Sequence, residues 1–361
     1  MATSAAAGHL RTLDGLRTLA IALVLWQHTP ILFTASGIDH DSWMWSRSLM
    51  AWWGVDLFFV LSGFLITGIL RRTATAPRGL SVFWARRALR IFPLFYLYLA
   101  VTYLYGRFGG FAVEDEAWAY YLVHLANLKI ATTDFGLPIF GVLWSLAVEE
   151  QFYAFYPLVV RRLTRRHLAF ACLAVIAAAP FVRIALYQWT PLERHALHVL
   201  VFCRADTLAI GALIGLAWES DVARARLQRA CRWALPFAVA VLASVFYFRF
   251  GHWVCPYEKT WTMIGYTSVG AACGVILVLV ASAGPIASAV FGNPVTTYLG
   301  KISYGIYLWH CLVGSVVANL PGIESPAMRI SLFLATTITV SALSFHLWET
   351  PFLRRKAAFA V

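Results

Sequence analysis

Ten apolar runs, near 14–34, 49–70, 89–106, 141–160, 168–189, 197–217, 233–250, 262–282, 297–318 and 328–347, divide this chain of 361 residues. Each approaches the ~20 residues that a helix needs to cross a bilayer. A segment in hydrocarbon must satisfy its own backbone polar groups, so such runs read as helices rather than as open sheet. Composition agrees, with 60% hydrophobic residues, 13% charged residues and a mean hydropathy of +0.70. A soluble domain carries about 25% charged residues. The expected fold is all-α and integral to the membrane: a single domain over 1–361, with about ten transmembrane helices in one bundle.

Charge gives that bundle a direction. The segment from Arg71 to Arg90 holds six arginines and no acid. Arg161, Arg162, Arg165 and Arg166 follow the fourth run, Arg224, Arg226, Arg229 and Arg232 the sixth, and Arg354, Arg355 and Lys356 the last. The opposite loops are poor in Lys and Arg and include Glu114-Asp115-Glu116. The positive-inside rule then predicts both termini in the cytoplasm. A shorter run, 117–130, would send the Arg161–Arg166 cluster outside if it crossed, so it is expected to be interfacial or re-entrant. The net charge of +12 follows from these loops, which predicts membrane lipids and no nucleic acid as partners.

The first run is too long, and lacks a small-residue cleavage site, for a removed signal peptide; it reads as a retained signal-anchor. Cys172, Cys203, Cys231, Cys255, Cys273 and Cys311 form no C-x-x-C pair. They read as small packing residues, with neither a disulfide framework nor a metal expected. Trp43, Trp45, Trp52 and Trp53 near the first outer loop suit either an interfacial aromatic belt or stacking on sugar faces.

Ionisable side chains inside the runs are few: Arg17 and His28 in the first, Asp56 in the second, Glu149 and Glu150 in the fourth, Arg183 in the fifth, Arg204 and Asp206 in the sixth and His310 in the ninth. A charge at the bilayer centre costs about 2.5–3.5 kcal/mol on insertion scales, so each marks either a site or a partner across the bundle. Arg17 and His28 are eleven residues apart, close to three turns, which puts both on one stripe roughly 16 Å apart along the axis. A helix with both groups on one face lines a polar cavity better than it faces lipid. Arg204 and Asp206 are two apart and do not share a face, so each is expected to pair with another helix.

Three further strings hold polar groups at helical spacing. In Phe83-Trp84-Ala85-Arg86-Arg87-Ala88-Leu89-Arg90-Ile91-Phe92-Pro93, Arg87 and Arg90 project from one side, with Arg86 beside them. Such a pair suits bidentate capture of phosphate; lipid-headgroup anchoring is its plainer use. In Leu143-Trp144-Ser145-Leu146-Ala147-Val148-Glu149-Glu150-Gln151-Phe152-Tyr153, at least one of Glu149 and Glu150 must face the bundle interior. Glu149 stacks with Ser145 and Tyr153 at i−4 and i+4, which favours it. In Ser303-Tyr304-Gly305-Ile306-Tyr307-Leu308-Trp309-His310, Ser303, Tyr307 and His310 share one face, and a satisfied core histidine is the plainer reading of His310.

Together with Leu13-Asp14-Gly15-Leu16-Arg17…His28 and Gly54-Val55-Asp56-Leu57-Phe58-Phe59-Val60-Leu61-Ser62-Gly63-Phe64, and reaching Glu349-Thr350-Pro351, these strings resemble the acyltransferase-3 family of bacterial integral-membrane O-acyltransferases. The resemblance covers essentially the whole chain. It implies transfer of an acyl group, acetyl above all, from cytoplasmic acyl-CoA to a hydroxyl of a sugar, glycan or glycosylated small molecule, at the bacterial inner membrane. It implies that Arg17 and His28 are the essential pair of the first helix. Arg87 and Arg90 then match the cytoplasmic R-x-x-R pair, and Glu149 or Glu150 the acidic motif. Many relatives carry a C-terminal SGNH hydrolase-like domain, which is not expected here.

The expected path runs from a cytoplasmic mouth at Arg86, Arg87 and Arg90, past Arg17, to His28 in the outer third of the bilayer. An imidazole titrates near neutrality, so His28 suits a general base toward the acceptor or a transient acyl carrier, with Glu149 as the neighbour that orients it. Direct transfer and an acyl-histidine both fit the residues. A transporter or flippase is the competing class. Against it, the chain lacks an inverted repeat and matching Gly/Pro-interrupted helices.

Overall fold

The computed structural model describes residues 11–36, 51–109, 115–251 and 261–359, which are mostly helical with no strand among them. The principal helices are α1 (Arg11–His28), α2 (Gly54–Thr73), α3 (Gly79–Gly109), α4 (Asp115–Leu122), α5 (Ala126–Thr132), α6 (Leu143–Arg162), α7 (Arg165–Trp189), α8 (Val201–Trp218), α9 (Asp221–Gly251), α10 (Tyr266–Ala281), α11 (Ser303–Ala318) and α12 (Pro326–Leu343). Among the described residues, seven helical stretches are long and apolar enough to cross a membrane, built on α1, α2, α3, α7, α8, α10 and α12. The expectation of ten was higher. α6 carries Glu149-Glu150-Gln151, α11 has 16 residues, and the run near 233–250 in α9 extends beyond the residues whose side chains are described.

The 117–130 run breaks into α4 and α5, of 8 and 7 residues. At 1.5 Å per residue neither reaches across a bilayer. The break falls at His124, whose φ of 58° ends the first helix and whose ring stacks on Phe95 at 4.0 Å. Burial there pushes the imidazole down to about 4, well below its ordinary value.

α2 and α8 pack backbone to backbone, which glycine makes possible. A Cβ on Gly63 would lie 2.0 Å from the Leu208 carbonyl oxygen, and one on Gly211 would lie 2.1 Å from that of Val60. Small residues at such crossings are what let membrane helices gain dispersion energy and interhelical contacts where lipid offers no hydrophobic drive. Gly211→Val must therefore spread the pair. It is expected to lower the unfolding temperature of the detergent-purified chain, with a loss of about 3 kcal/mol or more, at the upper end of overpacking costs.

Polar groups cross-link the same region. Arg204 Nη2 donates to Asp56 Oδ1 at 2.5 Å, joining α8 to α2, and its guanidinium lies 4.2 Å over the Tyr266 ring. Arg183 Nη1 donates to Asp206 Oδ2 at 2.9 Å, joining α7 to α8, and Thr267 of α10 donates to the same oxygen. All four charged side chains have no solvent exposure. Arg204 and Asp206 thus each bind a different helix, as their spacing requires. Asp56, a candidate site residue by sequence, is half of a buried ion pair. Trp52 and Trp53 are buried too, Trp52 edge-on to Tyr266 at 5.4 Å, so neither forms a belt or a sugar platform. Trp43, Trp45 and Cys255 lie outside the described residues.

Candidate functional site

α1, α2, α3, α6 and α11 enclose a cavity of about 130 Å³. Into it converge Arg17 from α1, Ser62 from α2, Arg87 and Arg90 from α3, Ser145, Glu149, Glu150 and Tyr153 from α6, and Ser303, Tyr304 and Tyr307 from α11. Five of these are charged: Arg17, Arg87, Arg90, Glu149 and Glu150.

Each of the three arginines is held from behind. Arg17 Nη1 donates to Asp14 Oδ1 at 2.6 Å, one turn earlier on the same helix, and Asp14 is 1% exposed. Arg90 Nη2 donates to the Lys301 carbonyl at 3.1 Å, and its Nη1 lies 3.7 Å from Glu349 Oε2. Arg87 sits over the faces of Tyr153 and Phe83, at 5.3 and 5.7 Å. A guanidinium has five N–H donors, so one or two such anchors fix its plane and leave the remaining fork for an anion.

The two carboxylates are unequal. Glu149 Oε1 accepts a 2.5 Å hydrogen bond from Ser62, and the Tyr153 hydroxyl lies 3.0 Å from the Ser62 oxygen. Glu150 Oε1 is buried without a hydrogen-bond partner. Both acids line the cavity, where the sequence required at least one.

Beyond Tyr307 the character changes. The Tyr307 hydroxyl donates to the Val142 carbonyl at 3.0 Å and lies 2.5 Å from Ser145 Oγ, and its ring is 5.8 Å from that of His310. His310, fully buried, meets His28 edge-on with ring centroids 4.8 Å apart. Tyr307 is therefore the partition between an arginine-and-carboxylate cavity and a histidine pair.

Three expectations are corrected by this arrangement. Glu149 is not the group beside His28, because Ser62 on α2 holds it at the level of Arg17 and Tyr153; the ring that meets His28 is His310. Arg17 lines the cavity but His28 does not, since three turns of α1 separate them. Arg86 is exposed and does not line the cavity.

Sequence reasoning missed Ser62 and Tyr304 as lining residues, and Glu349 as the anchor of Arg90. Glu349 was findable as a single carboxylate in the apolar stretch Phe345–Phe352. A π-helical segment, Ser344–Glu349, turns it inward to 2% exposure, and Trp348 Nε1 in the same turn donates to the Pro93 carbonyl of α3 at 2.9 Å. Such π turns favour functional positions.

Known proteins similar to this chain are acetyltransferases by name. It is 26% identical to the peptidoglycan O-acetyltransferase OatA of Listeria monocytogenes, over 95% of this chain and 56% of that protein. It is 27% identical to the putative peptidoglycan O-acetyltransferase YrhL of Bacillus subtilis, over 94% of this chain and 54% of that protein. A putative O-acetyltransferase of Staphylococcus aureus strain COL is 26% identical over 94% of this chain and 56% of its own length. The chain thus spans about half the length of the curated relatives it matches. No solved structure matches it. The family model described as an acyltransferase domain covers residues 10–347, nearly the whole of the bundle that holds the cavity, and the chain belongs to that acyltransferase-3 family.

Proposed function

We propose that this protein is a membrane O-acyltransferase that moves an acyl group, acetyl in the first instance, from acyl-CoA on the cytoplasmic side to a hydroxyl of a glycan at the outer side of the bacterial inner membrane. The observation that carries the reading is the convergence of Arg17, Arg87, Arg90, Glu149 and Glu150 on one cavity inside an acyltransferase-family bundle. The names of the relatives make peptidoglycan the first glycan to try. Ten crossings with both termini cytoplasmic belong to the same proposal. The arginines at the ends of α2 and α6 and at the starts of α3, α7 and α9 then lie at one membrane face, and the first turns of α3 bring Arg87 and Arg90 to the mouth of the cavity.

The three arginines suit the phosphates of a CoA donor, with the planar forks already oriented. The thioester arm would follow the cavity toward Tyr307. His28 Nδ1–H donates to the Val24 carbonyl at 2.8 Å, since a carbonyl only accepts, and this leaves Nε2 as the basic nitrogen. In a direct transfer Nε2 takes the proton of the acceptor hydroxyl. The oxygen forms the ester bond to the acyl carbon, the carbon–sulfur bond breaks, and the CoA thiolate leaves to be protonated. Glu149 and Ser62 hold the cavity side of α6 against α2, and Ser303 supplies a hydroxyl at its rim.

The test is acetyl release and transfer from radiolabelled acetyl-CoA by the purified chain with a glycan acceptor. Label in the glycan supports the proposal. A chain that binds the donor but neither releases nor transfers acetyl, as a transporter would, overturns it. Within that assay Arg87→Ala is expected to raise KM for acetyl-CoA about tenfold or more, with a smaller change in kcat. A hydrogen bond to a charged group is worth about 1.5–3 kcal/mol, and 1.4 kcal/mol is a factor of ten.

A further inference from the structure

Behind the proposed base lies a set of donor atoms that suits a soft metal ion. His28, His310 and Cys311 each offer one ligand atom, and these lie within 4.8 Å of one another. The two imidazoles are prepared in the same way. His28 Nδ1 bonds to the Val24 carbonyl at 2.8 Å and His310 Nδ1 to the Tyr307 carbonyl at 2.7 Å. Both Nδ1 atoms must carry hydrogen, so both Nε2 atoms present lone pairs. Ligating histidines almost always donate their other N–H to a carbonyl or carboxylate, which fixes tautomer and ring orientation. Cys311 Sγ is 3.3 Å from His310 Nε2, and both residues are fully buried, while His28 is half-buried and gives a way in.

We infer that His28, His310 and Cys311 form a binding site for a thiophilic cation, with monovalent copper the best match, and that its occupancy blocks acyl transfer. Thiolate and imidazole together select copper and zinc. Charge decides between them. Two neutral imidazoles and one thiolate make a neutral complex with Cu⁺ but leave one net charge with Zn²⁺, and an uncompensated charge in the interior costs several kcal/mol. Three donors also complete a trigonal site, whereas zinc asks for a fourth ligand. On binding, the Cys311 proton leaves to solvent, and the His28 lone pair goes to the metal instead of to a hydroxyl proton. The inhibitory half rests on the proposed role of His28; the binding half does not.

The experiment is titration of the full chain in detergent with Cu⁺, kept reduced by ascorbate and competed with a chromophoric chelator, alongside Zn²⁺. One equivalent of Cu⁺ bound by the wild type, with affinity falling at least a hundredfold in Cys311→Ser, supports the site; the other cysteines serve as internal controls. X-ray absorption showing two nitrogens and one sulfur gives a readout that misfolding would not imitate. Absence of stoichiometric Cu⁺ binding, equal binding by Cys311→Ser, or Zn²⁺ binding in preference to Cu⁺ overturns the assignment. Binding without loss of transfer overturns the inhibitory half. A chain that binds Cu⁺ but never transfers acetyl condemns the proposed function and leaves the metal site standing.

Discussion

His28→Ala is expected to reduce acyl transfer by at least about a thousandfold, with little change in donor affinity. General acid–base groups contribute about 10²–10⁴ in rate, and this one would have no substitute among the described groups it meets. Its neighbour His310 is fully buried and its Nε2 lies 3.3 Å from Cys311 Sγ, so that lone pair already has the thiol as its partner. Removing the imidazole leaves Arg17, Arg87 and Arg90 in place, because the nearest of them on α1 is three turns away. The split is therefore diagnostic: kcat falls while KM for acetyl-CoA moves less than threefold. A His28→Ala enzyme with normal glycan acylation would sink the scheme, and one with a large KM effect would place His28 in donor binding. The same variant should lose Cu⁺ affinity, which ties the two proposals to one residue without making either depend on the other's assay.

The second large effect concerns stability rather than rate. Asp56→Ala strands the guanidinium of Arg204, which has no exposure and whose Nε and Nη1 already lack hydrogen-bond partners. Breaking a buried pair by removing one partner costs about 3–5 kcal/mol, whereas replacing both by apolar side chains of similar volume is often neutral. Asp56→Ala is therefore expected to abolish or severely lower the yield of folded protein. Asp56→Leu combined with Arg204→Met is expected to recover much of it, as measured by thermal unfolding in detergent. Recovery of the fold together with acyl transfer would confirm that the pair is architectural. If the double variant folds and is inactive, Asp56 belongs to the chemistry after all.

The all-helical class was legible because backbone satisfaction in hydrocarbon leaves few choices, and apolar run length is read directly. The crossing number was less so, since Glu149-Glu150-Gln151 lowers the hydropathy of α6. Side-chain direction explains most of the rest. The i, i+3 spacing of Arg87 and Arg90 put both on one side, but Arg86, four residues before Arg90, shares a face with it by spacing as well, and only the packing leaves Arg86 exposed. The stripe shared by Arg17 and His28 was legible, but not that Tyr307 would divide it. Which acid faces which base depends on helix rotation and depth, which one chain's spacing leaves free, so Glu149 was assigned to His28 when Ser62 holds it. Asp56 and Arg204 show the converse. A buried charge signals a partner as strongly as it signals chemistry, and only the packing of α2 on α8 tells the two apart.

The glycine contacts between α2 and α8 have a mechanical meaning for the cavity. With Gly63 and Gly211 backbone to backbone and Arg204 bonded to Asp56, α2 cannot shift without dragging α8 with it. The opposite side is held by side-chain hydrogen bonds onto carbonyls: Tyr304 onto Ile91, Arg90 onto Lys301 and Trp348 onto Pro93. Such bonds can be re-formed a fraction of a turn away. The chamber thus has one wall that serves as a datum and another that yields, and a bulkier acyl chain would be admitted by displacement of α3 and α11 while Ser62 and Glu149 keep their places.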